Sequence, residues 1–276
     1  MTQRCLLPID GSELSTQVLG PLRLLAGSID ELTLLRVVPE VTPAEQNDAI
    51  DRAEAELQTL AASLDLGGTV KVRVEHGDAA DRILCVADDL QPELIAMTSH
   101  GRSGLQRVVR GSVAERVLRH AKAPLLLANP HVEVPPDGYR KLLVPLDGSD
   151  RSDAILEHVI RLGQAFQPAT VTLLRVEPFL YSALPSPALN PDLWDAETTR
   201  ATIYPARDRL QAANLEVKVE AAYGVESAEI LQAAHDHDLV VMSTHGRSGP
   251  SRWWFGSVAE SVLRHCDRPL YVVRSA

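Results

Sequence analysis

The feature that most constrains this fold is an internal duplication, because the 276-residue chain contains the same motifs twice in the same order. Leu6-Leu-Pro-Ile-Asp-Gly-Ser12 returns as Leu143-Val-Pro-Leu-Asp-Gly-Ser149, and Leu32-Thr-Leu-Leu-Arg-Val37 returns as Val171-Thr-Leu-Leu-Arg-Val176. A later block, Ser-His-Gly-Arg-Ser-Gly at 99–104, returns as Thr-His-Gly-Arg-Ser-Gly at 244–249, and Gly-Ser-Val-Ala-Glu at 111–115 returns unchanged at 256–260. Each copy is about half of the chain, which is typical of a duplicated domain and too long for a solenoid repeat of about 20–50 residues.

Turn-forming residues separate the two copies. The segment from Asn129 to Gly138 contains three prolines. Proline and turn formers in such density favour a short, stiff linker. The sequence therefore predicts one domain at 1–130, a linker at 131–138 and a second domain at 139–276.

Within each copy, short apolar runs alternate with longer stretches of helical composition, such as 44–64 and 80–87. The runs predict strands at 5–9, 32–38, 70–74, 94–98 and 124–127, and at 142–146, 171–176, 215–219, 239–243 and 270–273. Continuous apolar strands between helices indicate a parallel sheet that is covered on both faces. We therefore expect an α/β chain of two tandem Rossmann-like, doubly wound domains, each with a five-stranded parallel sheet. Such domains bind ligands at the carboxyl ends of their strands.

Charge and cysteine content exclude several classes of protein. The chain has 27 Lys and Arg against 37 Asp and Glu, a formal net charge of −10, which disfavours binding to nucleic acid or to an anionic membrane. No apolar stretch approaches the ~18 residues of a membrane span. Three cysteines without a Cys-x-x-Cys pair predict a reducing, cytoplasmic location.

The most informative segment follows the fourth predicted strand of each copy. Met97-Thr-Ser-His-Gly101 is followed after nine residues by Gly111-Ser112, and the same spacing recurs at 242–246 and 256–257. A strand that leads through glycines into a helix is suited to hold phosphate, since amides at a helix start point toward an anion. The alternative is a pair of strained turns with no ligand. Neither GxxxxGK[ST] nor GxGxxG occurs after the first strand, which disfavours a Walker-type NTPase and a dinucleotide dehydrogenase.

Together these blocks resemble the universal stress protein family over nearly the whole chain. In the nucleotide-binding branch of that family the late loop has the pattern G-x2-G-x9-G-[S/T]. Here Thr98 and Ser243 stand where the first glycine would be, and the remaining elements are present in both copies. The resemblance implies a stress-response protein that binds ATP or another adenine nucleotide, with or without Mg²⁺, and senses or regulates instead of catalysing metabolism. It also implies an internal pseudo-dimer of the two domains and a homodimer of chains.

The same resemblance implies nucleotide-binding positions in both halves. In the first half they are Pro8, Asp10, Val37, Met97, Thr98, His100, Gly101, Gly111, Ser112 and Val113. In the second half they are Pro145, Asp147, Val176, Met242, Ser243, His245, Gly246, Gly256, Ser257 and Val258.

Several of these positions also have simpler interpretations. Asp10 and Asp147 are equally suited to bond to the next turn. His100 and His245 are more typical of loop histidines than of a base or a metal ligand, and no second ligand at metal spacing accompanies them. We therefore predict no metal site and no catalytic residues. A slow ATPase and a nucleotide-free interaction scaffold stay open as alternatives.

Local charge and aromatic content distinguish the two copies. The span 100–122 carries six basic residues and one acidic residue within an acidic half. Arg102, with Arg107 and Arg110, is expected at the phosphates, whereas a solvated helix face is the alternative for Arg116, Arg119 and Lys122. We infer from this that the first half binds nucleotide more tightly. The second half has Trp253-Trp254-Phe255 in the matching loop, and we favour an interaction surface for this run over a lid or part of the core. The second half also has an insertion at 179–204, which we predict to be a loop.

Overall fold

The computed structural model of the chain describes residues 3–99, 112–129, 132–149, 154–167, 169–178, 194–244 and 256–274. The chain divides into two compact units, Met1–Val132 and Glu133–Ala276. Most of the predicted linker belongs to the second unit, where the Glu133 amide donates to the carbonyl of Asp267 at 3.0 Å. The Glu133 carboxylate also pairs with Arg268 at 2.6 Å.

In the first unit, five strands form a parallel sheet in the order β3-β2-β1-β4-β5. Strand β1 lies between β2 and β4, with Cys5 opposite Leu32 on one side and Leu94 on the other. All five strands coincide closely with the predicted ones, which confirms the parallel α/β fold. The strands are β1 Arg4–Pro8, β2 Glu31–Val38, β3 Thr69–His76, β4 Leu94–Thr98 and β5 Leu125–Ala128.

The helices of the first unit begin at recognisable caps. The Ser12 side chain accepts the Ser15 amide at 3.1 Å, and the Asp78 side chain accepts the Asp81 amide at 3.0 Å. These side-chain acceptors satisfy amides that have no partner within the helix. The helices are α1 Glu13–Thr16, α2 Leu19–Arg23, α3 Pro43–Ser63, α4 Ala79–Leu90 and α5 Ser112–His120, with a 3₁₀ turn at Ala26–Ser28.

The second unit repeats the arrangement with the strand order β8-β7-β6-β9-β10. Its strands are β6 Lys141–Pro145, β7 Thr170–Pro178, β8 Glu216–Gly224, β9 Leu239–Ser243 and β10 Leu270–Val273. Strand β8 extends beyond its predicted end because it pairs with β7 as far as Gly224. The alanines at 221 and 222 hide this extension in the sequence, since alanine is depleted in strands.

The helices of the second unit correct one expectation. The segment 179–204, predicted as a loop, is helical near its end, where Asp195 caps a helix by accepting the amides of Glu197 and Thr198. A second helix begins at Tyr204, with Pro205 in its first turn, where proline is tolerated. The helices are α6 Leu156–Ala165, α7 Ala196–Ala201, α8 Tyr204–Ala212, α9 Glu226–Ala234 and α10 Ser257–His265.

The two cores differ in their side chains. All five residues of β4 are buried, and the first unit is filled by aliphatic side chains because no Phe, Trp or Tyr precedes Tyr139. In the second unit, Tyr139 is 2% exposed and packs edge-on against Phe166 with ring centroids 5.1 Å apart. Similar sheets are therefore stabilised by different packing.

Each strand order contains one reversal of direction. The chain leaves β1 toward β2 but leaves β4 toward β5 on the other side, and β6 and β9 repeat this pattern. Such a switch point opens a crevice at the carboxyl ends of the two adjacent strands. Both units therefore have an edge at which a ligand site is expected.

Candidate functional site

The turn after the first strand of each unit is closed by its aspartate. The Asp10 carboxylate accepts the amide of Ser12 at 2.9 Å and its hydroxyl at 2.6 Å. Asp147 accepts the amide and hydroxyl of Ser149 at 3.0 and 2.7 Å. Both aspartates thus have the turn-closing role that the sequence left open, and this bonding fixes each carboxylate at the carboxyl edge of its sheet.

The N-terminus of α10 faces the corresponding edge in the second unit. Gly256 precedes the helix without a side-chain cap, and its amide donates to the carbonyl of Thr244 at 3.3 Å. The following amides, from Ser257 and Val258, have no acceptor within the helix, and the helix dipole makes this end partially positive. An anionic group is therefore stabilised there.

A cavity of about 350 Å³ lies between the ends of β6, β7 and β9 and the start of α10. This volume is within the range of small-molecule sites. Every described residue that the sequence predicts for the second-half site lines this cavity. These residues are Pro145, Asp147, Val176, Met242, Ser243, Gly256, Ser257 and Val258. The remaining two predicted positions, His245 and Gly246, lie outside the described residues.

Three charged residues of the cavity wall were not predicted from the sequence, namely Arg175, Glu177 and Glu226. Arg175 lines the cavity with a side chain that is 10% exposed, and Glu226 lines it from the first turn of α9. The sequence could have pointed to Arg175, because this residue directly precedes the predicted Val176 in a repeated motif. It could not have pointed to Glu226 in this way, since alanine occupies the corresponding position in the first copy.

In the first unit, the described site residues lie at one edge of the sheet. They stand at or just beyond the ends of β1, β2 and β4 and at the start of α5. These residues are Pro8, Asp10, Val37, Met97, Thr98, Ser112 and Val113. Adjacent parallel strands place their carboxyl ends at the same edge of the sheet. The first-half site residues therefore come from the strands and helix that correspond to those of the second-half site. His100, Gly101, Arg102 and Gly111 lie outside the described residues.

The basic residues of α5 and the turn after it pair with acids of their own unit. Arg116 pairs with Asp78 at 2.8 Å and also with Asp81, while Lys122 pairs with Asp88 at 2.7 Å. The Asp81 amide, together with Arg116, holds the pKa of Asp78 below its usual range. Arg119 similarly pairs with Glu115 one helical turn away. These contacts favour the helix-face interpretation of the three basic residues over phosphate contact.

Other candidates from the sequence are outside the described ranges. They are Arg107 and Arg110, the aromatic run Trp253-Trp254-Phe255, and positions 179–193 of the insertion.

A second cavity of about 370 Å³ lies between α4 and α5. None of the predicted site residues lines it, and its charged groups pair with one another, as Lys122 does with Asp88. Of these two cavities, the one in the second unit therefore carries the predicted nucleotide-binding residues.

The described residues form neither a membrane-spanning helix nor a metal cluster. No helix in the described ranges has both the length and the apolar character to cross a bilayer. Among the same residues, no three His, Cys, Asp or Glu side chains are grouped so that they could hold a metal ion.

Comparison with known proteins identifies the family. The model described as the universal stress protein family matches the chain twice, over residues 1–129 and 138–274. The chain belongs to the universal stress protein family. The two matches cover most of the sequence, which confirms a tandem member of this family.

The relatives of this universal stress protein support the same conclusion. A universal stress protein of Methanocaldococcus jannaschii is 29% identical over 141 residues, which cover 49% of this chain and 82% of the relative. One from Mycolicibacterium smegmatis is 26% identical over 217 residues, which cover 75% of this chain and 70% of the relative. The crystal structure of a universal stress protein from Archaeoglobus fulgidus matches with a TM-score of 0.74 at 21% identity, covering 99% of this chain and 96% of the other. This structural match confirms the tandem α/β fold.

Proposed function

We propose that this universal stress protein binds an adenine nucleotide, with ATP as the first candidate, and acts as a sensor or regulator in a stress response. The observation that carries the proposal is the cavity of the second unit. It brings together residues from three strand ends and one helix start that are far apart in the sequence, from Pro145 to Val258.

The cavity has two chemically different ends. Met242, Val176 and Ile230 supply apolar walls, which suit the faces of a purine ring. The start of α10 supplies amides and a positive dipole end, which suit phosphate. Gly256 lets an anion approach the backbone there, because its missing side chain leaves open space. A nucleotide combines an apolar ring with an anionic tail. It therefore fits both ends of this cavity, whereas a purely apolar ligand fits only one.

The first unit is proposed to bind nucleotide at the matching edge, through Asp10, Met97 and Ser112 and their neighbours. Magnesium, if it accompanies ATP, would be bound mainly by the phosphates. The cytoplasmic location and the homodimer stay predictions.

Native mass spectrometry of the purified full-length chain tests the proposal, followed by calorimetry with ATP in the presence and absence of Mg²⁺. We expect adenine nucleotide to co-purify or to bind on addition. ATP at about 100 times its Kd should then stabilise the fold by about 2.7 kcal/mol. Absence of co-purified nucleotide together with no binding heat and no change in Tm contradicts the proposal. Steady Mg²⁺-dependent release of phosphate would instead support the slow ATPase.

A further inference from the structure

Arg175 has a guanidinium whose hydrogen-bonding capacity is largely unused by the protein. The side chain is 10% exposed and lines the cavity of the second unit. One nitrogen, Nη1, donates to the carbonyl of Val176 at 2.8 Å. The nearest carboxylate, from Glu177, is 3.5 Å from Nη2, which is longer than the usual 2.7–2.9 Å of a charge-assisted bond. The third nitrogen, Nε, is buried and has no hydrogen-bond partner among the residues that the structure describes.

The equivalent arginine of the first unit is engaged differently. Arg36 pairs with Glu56 of α3 at 2.6 Å and donates to the carbonyl of Ile9 at 3.3 Å. Its guanidinium also lies against Gly11. The first-unit arginine therefore ties together the end of β1, β2 and α3.

The residues and helices around the two arginines differ. In the first unit, the residue two positions after the arginine is Val38, so the acid that reaches Arg36 comes from the middle of the continuous helix α3. In the second unit that position is Glu177, and the shorter helices α7 and α8 replace α3. The same motif thus places one arginine in a structural ion pair and the other at the wall of a cavity.

A buried cation with unfilled donors is stabilised when a ligand supplies acceptors. Arg175 projects from β7, which is separated from β9 by β6. Neighbouring strands are about 4.8 Å apart, so β7 lies about 10 Å from the strand that leads to the start of α10. That distance is comparable to the length of a nucleoside. When the phosphates of a nucleotide lie at the start of α10, Arg175 therefore lies next to the nucleoside part of the same ligand.

We propose that Arg175 is a ligand-contacting residue of the second unit, donating hydrogen bonds to ring-nitrogen acceptors of the bound purine nucleoside. The first unit lacks this contact because Arg36 is held by Glu56. The inference rests on the proposed nucleotide binding and adds to it a recognition residue that belongs to one unit alone.

The test uses the full-length chain and two variants, Arg175→Lys and Arg175→Met, with Arg36→Lys as the matched control. Lysine keeps the charge but lacks the planar fork of donors. Calorimetry with ATP and with adenosine should show an affinity about tenfold lower at one site for both ligands. Photolabelling with 8-azido-ATP, followed by peptide mapping, should show less label in second-unit peptides. Arg36→Lys should leave the labelling of the second unit unchanged.

The outcomes separate this inference from the proposed function. If the wild-type chain binds neither ATP nor adenosine, both are overturned. If it binds them and Arg175→Lys binds equally well, the recognition role is overturned while nucleotide binding stands. A loss confined to ATP, with adenosine unaffected, would also overturn it, since the contact would then be with phosphate. Circular dichroism checks that each variant is folded, and if Arg175→Met does not fold, Arg175→Lys decides the result.

Discussion

The guanidinium of Arg36 lies so close to Gly11 that a Cβ at position 11 would be 2.2 Å from one of its nitrogens. Gly11 also has a φ of +83°, a conformation that L side chains rarely adopt. The arginine therefore covers the backbone of the turn in which Asp10 bonds to Ser12. Glycine is favoured at position 11 mainly by the positive φ, and a side chain there would also displace the Arg36 guanidinium from its contacts with Ile9 and Glu56.

Replacing Gly11 with alanine should destabilise the first unit by about 1.5–3.5 kcal/mol, because the left-handed backbone costs about 1–2 kcal/mol and the loss of an Arg36 hydrogen bond adds about 0.5–1.5. Urea denaturation of the full chain measures the loss. Gly67→Ala is the matched control, since Gly67 has a φ of +73° and no atom within 4 Å of the added Cβ. It should lose only the backbone contribution. Equal losses in the two variants would contradict the role of Arg36.

Replacing Gly256 with alanine should separate ligand binding from stability. The added Cβ would have Thr244 O at 4.0 Å as its nearest neighbour, and φ is −55°, so the fold tolerates the methyl group. We expect a stability loss below about 1 kcal/mol, from the poorer helix cap, and an ATP affinity about tenfold lower because the methyl group enters the cavity. Calorimetry and thermal melts measure both. Gly27→Ala, in open space of the first unit, should change neither property, and unaltered ATP binding by Gly256→Ala would contradict the site.

Removing the Arg116 side chain should leave nucleotide binding intact. Its partners, Asp78 and Asp81, are on α4 and its cap, and the Arg116 side chain is 44% exposed. Exposed ion pairs contribute about 0–1 kcal/mol, so Arg116→Ala should lose no more than that. Calorimetry with ATP and urea denaturation check the two expectations, with Lys122→Ala as a second exposed control. A large drop in ATP affinity would show that Arg116 reaches phosphate.

The second unit should lose stability as the pH falls from about 6.5 to about 4. Burial, with a contribution from Arg161, lowers the pKa of His158 to about 4. In the unfolded chain the pKa is about 6.5, so the unfolded state binds the proton first and the free energy of unfolding decreases across this interval. Because the side chain is partly exposed, we expect a loss of about 1–2 kcal/mol, complete near pH 4.

Denaturation of the wild-type chain and His158→Gln at pH 7 and pH 4.5 measures this effect. The stability difference between the two proteins should change with pH, since glutamine does not titrate. His158 Nδ1 lies 3.2 Å from the Tyr271 hydroxyl and 2.7 Å from Arg161 Nη2. Because the guanidinium can only donate, Nδ1 accepts this hydrogen bond, which requires the neutral ring. A pH-independent difference would show that His158 titrates normally in the fold.

Strand positions could be predicted because strands buried on both faces leave continuous apolar runs. Leu94–Thr98 and Leu239–Ser243 coincide with their predictions for this reason. The end of β8 and the helix at Ala196–Ala201 could not be predicted in this way. The alanines at the end of β8 and the proline-rich insertion before the helix show no clear periodicity of apolar residues. In both cases pairing or capping decided the structure.

The duplication, the parallel α/β fold and the predicted site positions follow from the order of the residues alone. These features depend on burial pattern and on glycine spacing, which are properties of the chain read in order. The different environments of Arg36 and Arg175, which occupy the same place in one repeated motif, arise only when the chain folds. A long cationic side chain is oriented by the acid that it pairs with. Glu56 reaches Arg36 only because α3 packs next to it.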